Sequence, residues 1–254
     1  MATEPASEPG ARARTAELLW GGRPAPRRGP RPGLTLDRIV GAAIGIADAE
    51  GVGALSMQRV AADLGVTKMA LYRYVAGRDE LVALMADTAC GPPPEPDGEG
   101  WRSRLHGWAR ELWPRLRRHP WLLSTTVGPR VLGPNELGWL EAALTALADT
   151  PLGAAERMDA VALISGHVRG IAQQAPAPGA EGVEAELAAA MGPVLAAHRA
   201  DYPHAAAAFA GTAAEGGGDA ALDFGLERIL DGLEALITRR EREASGAGRP
   251  RARG

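Results

Sequence analysis

The sequence predicts an all-α protein. An N-terminal three-helix unit built round a helix-turn-helix is joined by a fourth helix to a larger all-helical domain. Three observations carry the prediction. Apolar residues recur at helical spacing from residue 36 to about 242, and no stretch alternates as a strand would. Residues 55–80, LSMQRVAADLGVTKMALYRYVAGRDE, hold two helix starts on either side of a glycine turn. A Pro/Gly/acid segment, GPPPEPDGEG at 91–100, parts two blocks of helical pattern.

The elements follow in order. Residues 1–33 are rich in Pro, Gly, Ala and Arg without a period and read as a disordered basic arm. Arg27, Arg28 and Arg31 make it either a spacer or an arm for a DNA minor groove. A first helix covers about 36–50, with Leu36, Ile39, Val40, Ala43, Ile46 and Ala47 in period and Gly51 as its stop. Ser56 caps a second helix through Leu64, and Gly65 ends it. Thr67 is placed to cap a third, which sets Leu71 and Val75 on one face. A fourth begins near Asp79, where two acids in the first turn suit the helix dipole, and runs to Cys90. The domains are thus 34–90, a linker at 91–100, and 101–243, with a disordered basic tail at 244–254.

Within 101–243 the pattern gives a helix from Trp101 to Arg118 that Pro114 should kink, and a short helix opened by His119-Pro120-Trp121. Asn135–Ala148 carries a stripe of Leu137, Leu140, Leu144 and Leu147. Ala154–Gln174 and Val183–His198 follow, the latter interrupted by Pro193. Ala205–Gly218 reads as a poorly defined connection, and Ala220 to about Arg242 as a strongly amphipathic final helix.

Function begins on the third helix. Lys68, Met69, Tyr72 and Arg73 lie off the Leu71/Val75 face and point outward. A cation, an adaptable apolar side chain, a phenol and a guanidinium together suit base edges and phosphates. Such a short helix offers three or four base-reaching side chains, so useful specificity needs two copies on an inverted repeat. Net charge is −3, unevenly spread: residues 1–32 carry +3, residues 239–254 carry +4, and the middle carries −10. An acidic body is repelled by DNA, so contact is confined to a small oriented surface and simple nucleic-acid coating is excluded.

Hydrophobic content of 46% with 23% charge supplies a sizeable core. Apolar runs fall far short of a membrane span, and a single cysteine suits a reducing cytoplasm. No phosphate loop, GxSxG, GxGxxG or HExxH is present, and the five histidines make no spaced metal set, so an enzyme is disfavoured and neither cofactor nor metal is expected. Interior glycines at Gly166, Gly170, Gly225 and Gly232 call for close helix packing, either between two subunits or within one. Trp113, Trp121 and Trp139, with Thr125, His167, Gln173 and Gln174 as polar anchors, suggest a cavity for a mostly hydrophobic small molecule.

Residues 36–90 resemble the DNA-binding domain of the TetR family of bacterial one-component repressors, with LYRYV followed by RDEL as the specific mark. The remainder resembles the family's tetracycline-repressor-type regulatory domain through Trp101, the HPW at 119–121, Gly133-Pro134-Asn135 and the closing FGLERILDGLEAL. The resemblance implies an all-helical homodimer on a palindromic operator, released by a small-molecule effector. Position by position, it implies DNA contact by Gln58, Thr67, Lys68, Met69, Tyr72 and Tyr74. It places Arg78 where the family usually keeps a phosphate-binding lysine, and Arg73 where the family varies. Thr125 falls where the founding member has a ligand-binding histidine, so tetracycline itself is not the expected effector. The competing reading is a DNA-binding dimer without ligand control, architectural or constitutive.

Overall fold

The structure is a computed structural model that describes residues 9–21, 33–95, 97–175, 183–215 and 220–247. Among these residues every regular element is helical. They group into two compact units, residues 1–148 and 149–254.

In the first unit, α1 spans Pro9–Trp20 and α2 spans Leu36–Glu50. The Thr35 hydroxyl caps α2 by accepting from Arg38 N at 3.2 Å. A 3-10 turn at Val52–Ala54 leads to α3 (Met57–Asp63) and α4 (Lys68–Leu71). The long α5 (Arg78–Cys90) follows. These helices close one small core: Ile39, Val40, Ala43 and Ile46 from α2 meet Val60, Leu71, Val75, Leu81 and Met85, all buried. Then come α6 (Gly100–Arg118), α7 (Leu122–Thr125) and α8 (Pro134–Ala146). Helix α6 runs through Pro114 without ending, because Leu105, Trp108, Ala109 and Leu116 anchor one face of it on both sides of the proline. One lost backbone hydrogen bond does not outweigh that burial.

The second unit contains α9 (Ala154–Gln174), α10 (Val183–Ala197), α11 (Pro203–Glu215) and α12 (Ala220–Ala247). Helices α9 and α12 pack along Val161, Ile164 and Val168 against Leu222, Leu226, Leu230 and Leu233. Arg240 of α12 closes the far end on Glu156 of α9 at 2.6 Å, holding that half-buried carboxyl below its usual range. Helices α10 and α11 pack on each other.

Three expectations are corrected. The arm at 1–33 is not without structure, since residues 9–20 form α1; residues 1–8 and 22–32, with Arg27, Arg28 and Arg31, lie outside the described residues. The compact units divide at 148/149. The Pro/Gly segment is tied into the first unit: Arg115 Nε donates to Cys90 O at 2.9 Å and Trp139 Nε1 donates to Gly91 O at 3.1 Å. The alanine-rich stretch expected to be a loose connection is α11, as alanine's helix propensity allows. The final helix continues past Arg242 into the expected tail, to Ala247, and residues 248–254 lie outside the described residues.

On α8 the buried face is Trp139, Ala143 and Ala146, so most of the leucine stripe is turned aside: Leu137 is exposed and Leu140 and Leu144 are half-buried, while Leu147, just past the helix, is fully buried as expected. A run in which nearly every residue is apolar offers two candidate stripes, and side-chain volume alone picked the wrong one.

Candidate nucleic-acid interface

The reading surface is built from the turn outward. Ser56 accepts from Arg59 N at 3.1 Å and starts α3. Gly65, at φ +66, makes the turn that an L side chain would strain. Thr67 takes the N-cap position of α4, but its hydroxyl makes no capping bond, contrary to expectation. Helix α4 is a single turn held from behind by Leu71 and Val75, both fully buried. Lys68, Met69 and Arg73 are thereby exposed, and Met69 is 72% exposed, an unusual state for methionine. Tyr72 is half-buried beside them, with Lys68 Nζ 5.8 Å from its ring centre. Gln58 is exposed on the first turn of α3, and Arg59 pairs with Glu50 of α2 at 2.6 Å, fixing α3 against α2.

Two of the residues matched to DNA contacts have other partners. The Tyr74 hydroxyl donates to Leu34 O at 2.9 Å and ties α4 to the entry of α2. Arg78 Nε donates to Leu55 O at 3.1 Å, and a terminal nitrogen donates to Val52 O at 2.9 Å. Both side chains brace the reader. Sequence spacing gave no sign of these partners, because they lie about 20 to 40 positions away.

The residues expected to line an effector cavity fall into two sets. In the first unit, Trp121 is buried, with its Nε1 donating to Asp48 Oδ1 at 2.7 Å; His119 Nδ1 meets the same oxygen at 2.8 Å. Trp139 is buried edge-on to Trp108, with ring centres 5.7 Å apart, and the Arg115 guanidinium stacks 4.7 Å from its ring centre. The Thr125 hydroxyl bonds Trp121 O at 3.1 Å, and Trp113 is half-buried under Arg117. In the second unit, Gln173 and Gln174 are exposed, and His167 Nε2 lies 2.9 Å from Leu222 O. A cavity of about 410 Å³ in the first unit is lined by other residues: Arg104, Trp108, Arg110 and Glu111 of α6, Pro94, Glu95 and Asp97, and Ala142 of α8. Sequence reasoning missed Trp108. It also missed Asp87, a 7%-exposed carboxylate of α5 that accepts from the backbone N–H groups of Asn135 at 2.9 Å and Glu136 at 3.0 Å.

Comparison with known proteins bears on both halves of the chain. The family described as bacterial regulatory proteins, tetR family, matches residues 39–85, and the tetracyclin repressor-like C-terminal domain matches residues 93–237. The chain belongs to the TetR family. It is a TetR-type transcriptional regulator with a helix-turn-helix reader, similar over most of its length to two curated relatives. One is the HTH-type transcriptional repressor DrrR1 of Streptomyces coeruleorubidus, 43% identical over 92% of this chain and 89% of the relative. The other is an HTH-type transcriptional regulator of Saccharopolyspora erythraea, 33% identical over 84% of this chain and 90% of the relative. Among solved structures, the TetR family protein ActR of Streptomyces coelicolor in complex with actinorhodin is similar, with a TM-score of 0.69 and 30% identity over 82% of this chain and 99% of that one.

The glycines of this TetR-family chain separate into two kinds. A methyl group built on Gly225 would lie 2.2 Å from the His167 ring, so that glycine makes room for a neighbour inside the protomer. At Gly166, Gly170 and Gly232 no described atom comes within 4 Å of such a methyl group. Around them α9 and α12 leave Met158, Leu163 and Phe224 exposed.

Proposed function

We propose that the chain is a ligand-responsive repressor that reads a two-fold operator as a homodimer, through Gln58, Thr67, Lys68, Met69, Tyr72 and Arg73, in a cytoplasmic setting. The observation that carries the reading is α4: one helical turn, buried behind and presenting Lys68, Met69 and Arg73 to solvent. Such a turn has no stabilising use for an exposed methionine beside two cations, whereas thymine methyl groups, guanine edges and phosphates match all three. Arg78 and Tyr74 support the reader by bracing it, and each can still approach a phosphate with its outer edge.

Dimerisation is supported by the open, glycine-containing face of α9 and α12, where small residues let two helices from each subunit approach closely. No described helix is long and apolar enough to cross a membrane. Effector control is supported by the ActR complex, whose ligand is actinorhodin. For this chain we propose a mostly hydrophobic effector. Within the first unit, Trp121 and Trp139 would serve as apolar walls, their ring N–H groups being already bonded, with Trp113 and Thr125 supplying further wall and polar edge. Release of DNA requires the effector to favour the DNA-incompetent arrangement by a few kcal/mol, since equal affinity for both states shifts nothing.

An electrophoretic shift of the full-length protein on its own upstream DNA, with scrambled competitor, tests the reading. Preferential binding to an inverted repeat is expected, and equal affinity for both DNAs refutes it. A thermal-shift and Trp-fluorescence screen of lipophilic compounds, followed by operator release, tests effector control. If no compound both binds and releases the operator, the DNA-binding dimer stands alone.

A further inference from the structure

Helix α1 has no part in the function so far described. At twelve residues it is marginal as a helix in water, where the unfavourable first turn is recovered only over a longer run. Its order therefore comes from its attachments, and these sit at the two ends of α5. Near the start of α5, Arg14 Nε lies 3.1 Å from the carboxylate of Glu80, which is 7% exposed and also accepts from Ala76 N. Towards the other end, Trp20 Nε1 donates to Leu132 O at 3.0 Å. That carbonyl immediately precedes the Gly133–Glu136 corner, which Asp87 of α5 holds through three hydrogen bonds from Asn135 and Glu136. At the Trp20 end α1 does not lie flush. A cavity of about 330 Å³ opens there, walled by Leu18 and Trp20 on one side and by Val40, Leu84 and Thr88 on the other.

We propose that α1 is a two-state strap on α5. Docked, it is a helix that fixes α5 against the 132–136 corner; undocked, it leaves α5 free to tilt. The inference rests on the functional reading above, in which α5 joins the reader to the regulatory helices. Its physical basis is cooperative. Twelve residues cannot hold a helix with one anchor, so loss of either Arg14–Glu80 or Trp20–Leu132 releases the whole segment. The cavity thins the apolar contact that could otherwise retain it. A marginal segment with discrete ordered and released forms is the kind of element through which proteins switch. Any tilt of α5 relative to the corner must break one anchor, so the strap and the tilt are linked.

The test compares full-length wild type with Arg14→Ala, Trp20→Ala, the double variant and a chain lacking residues 1–21. Hydrogen–deuterium exchange over 9–20 and 129–136 is measured together with operator affinity, and circular dichroism melting confirms that each protein is folded. Either single substitution should raise exchange across all of 9–20, and the double variant should add little to either. Operator affinity should shift in one direction, by at least about fivefold, the lower end of site-to-site coupling, in all four altered proteins. Exchange confined to the substituted end, or additive effects of two independent contacts, overturns the strap. So does operator affinity within about twofold of wild type throughout. If wild type binds no operator at all, the functional reading fails, and the exchange pattern alone decides the strap.

Discussion

Replacing Gly133 by alanine places a methyl group where Asp87 already stands. The added carbon would lie 2.2 Å from both Cγ and Oδ1 of Asp87 and 2.7 Å from its Cβ. Rotation about χ1 relieves the first two contacts but not the third, because Cβ moves only with the backbone of α5. Gly133 sits at φ −82, a conformation open to any residue, so the conflict is one of space alone. Forcing a methyl group into a packed site costs about 1–3 kcal/mol. Pushing the carboxylate away also leaves the N–H groups of Asn135 and Glu136 at the start of α8 without their acceptor, about 1–3 kcal/mol more. The total, roughly 2–6 kcal/mol, is a large share of the ~5–15 kcal/mol that holds a typical domain together.

Urea unfolding followed by far-UV circular dichroism should show the loss as a lowered midpoint for Gly133→Ala. The same substitution made in an Asp87→Gly background should cost under about 1 kcal/mol, because Cβ and the carboxylate are then both gone. A Gly133→Ala midpoint equal to wild type, or an equal loss in both backgrounds, refutes the assignment of Asp87 as the group the methyl meets.

Four further outcomes are expected. Lys68→Ala and Met69→Ala should relax preference at particular bases by about 1–3 kcal/mol each, read by competition shifts against single-base operator variants. Arg78→Ala should lower the melting temperature as well as operator affinity, since its guanidinium holds two backbone carbonyls at about 1 kcal/mol apiece; unchanged melting would return Arg78 to a purely phosphate-facing role. Gly166→Leu or Gly232→Leu should convert dimer to monomer in light scattering with the protomer's helicity intact, whereas Gly225→Leu should unsettle the protomer itself through His167. Burial pushes the Cys90 thiol up to about 12, with the nearby Glu136 carboxylate adding to the shift. It should therefore resist alkylation in the folded protein and react on unfolding. Because the folded thiol keeps its proton where the unfolded one loses it, Cys90 should also lower stability as pH rises above the ordinary thiol range.

Much of the fold was legible because the signals were local. Ser56, Gly65, Leu71 and Val75 declare a helix, a turn and a buried face within twenty residues, and the structure places them so. The same locality made Lys68, Met69 and Arg73 readable as an outward set. What sequence did not show depends on distant partners. Residues 9–20 lack a strong apolar face, and their helix exists through Glu80 and Leu132, which lie 66 and 112 positions away from Arg14 and Trp20. Tyr74 and Arg78 matched a family pattern of DNA contact, yet the acceptors that engage them come from the backbone before α2 and before α3. Trp121 looked like a pocket wall for want of any sign that Asp48, at the far end of α2, would take its ring N–H. The alanine-rich α11 was missed for the opposite reason, since it has strong local propensity but no amphipathic stripe.

Lys68 carries the only side-chain amine in the chain, every other basic side chain apart from the histidines being a guanidinium. It stands exposed on α4, in the middle of the reading surface. Amine-directed chemistry therefore reaches one side chain, besides the backbone α-amino group. Acylation of the lysine amine marks the turn proposed to face DNA, removing one charge where a base or phosphate would lie. If Lys68 reads DNA as proposed, protection of its nitrogen reports occupancy of the operator without a fluorophore or an engineered cysteine. The arginine-rich composition that makes the rest of the surface chemically silent is what turns one residue into a built-in probe.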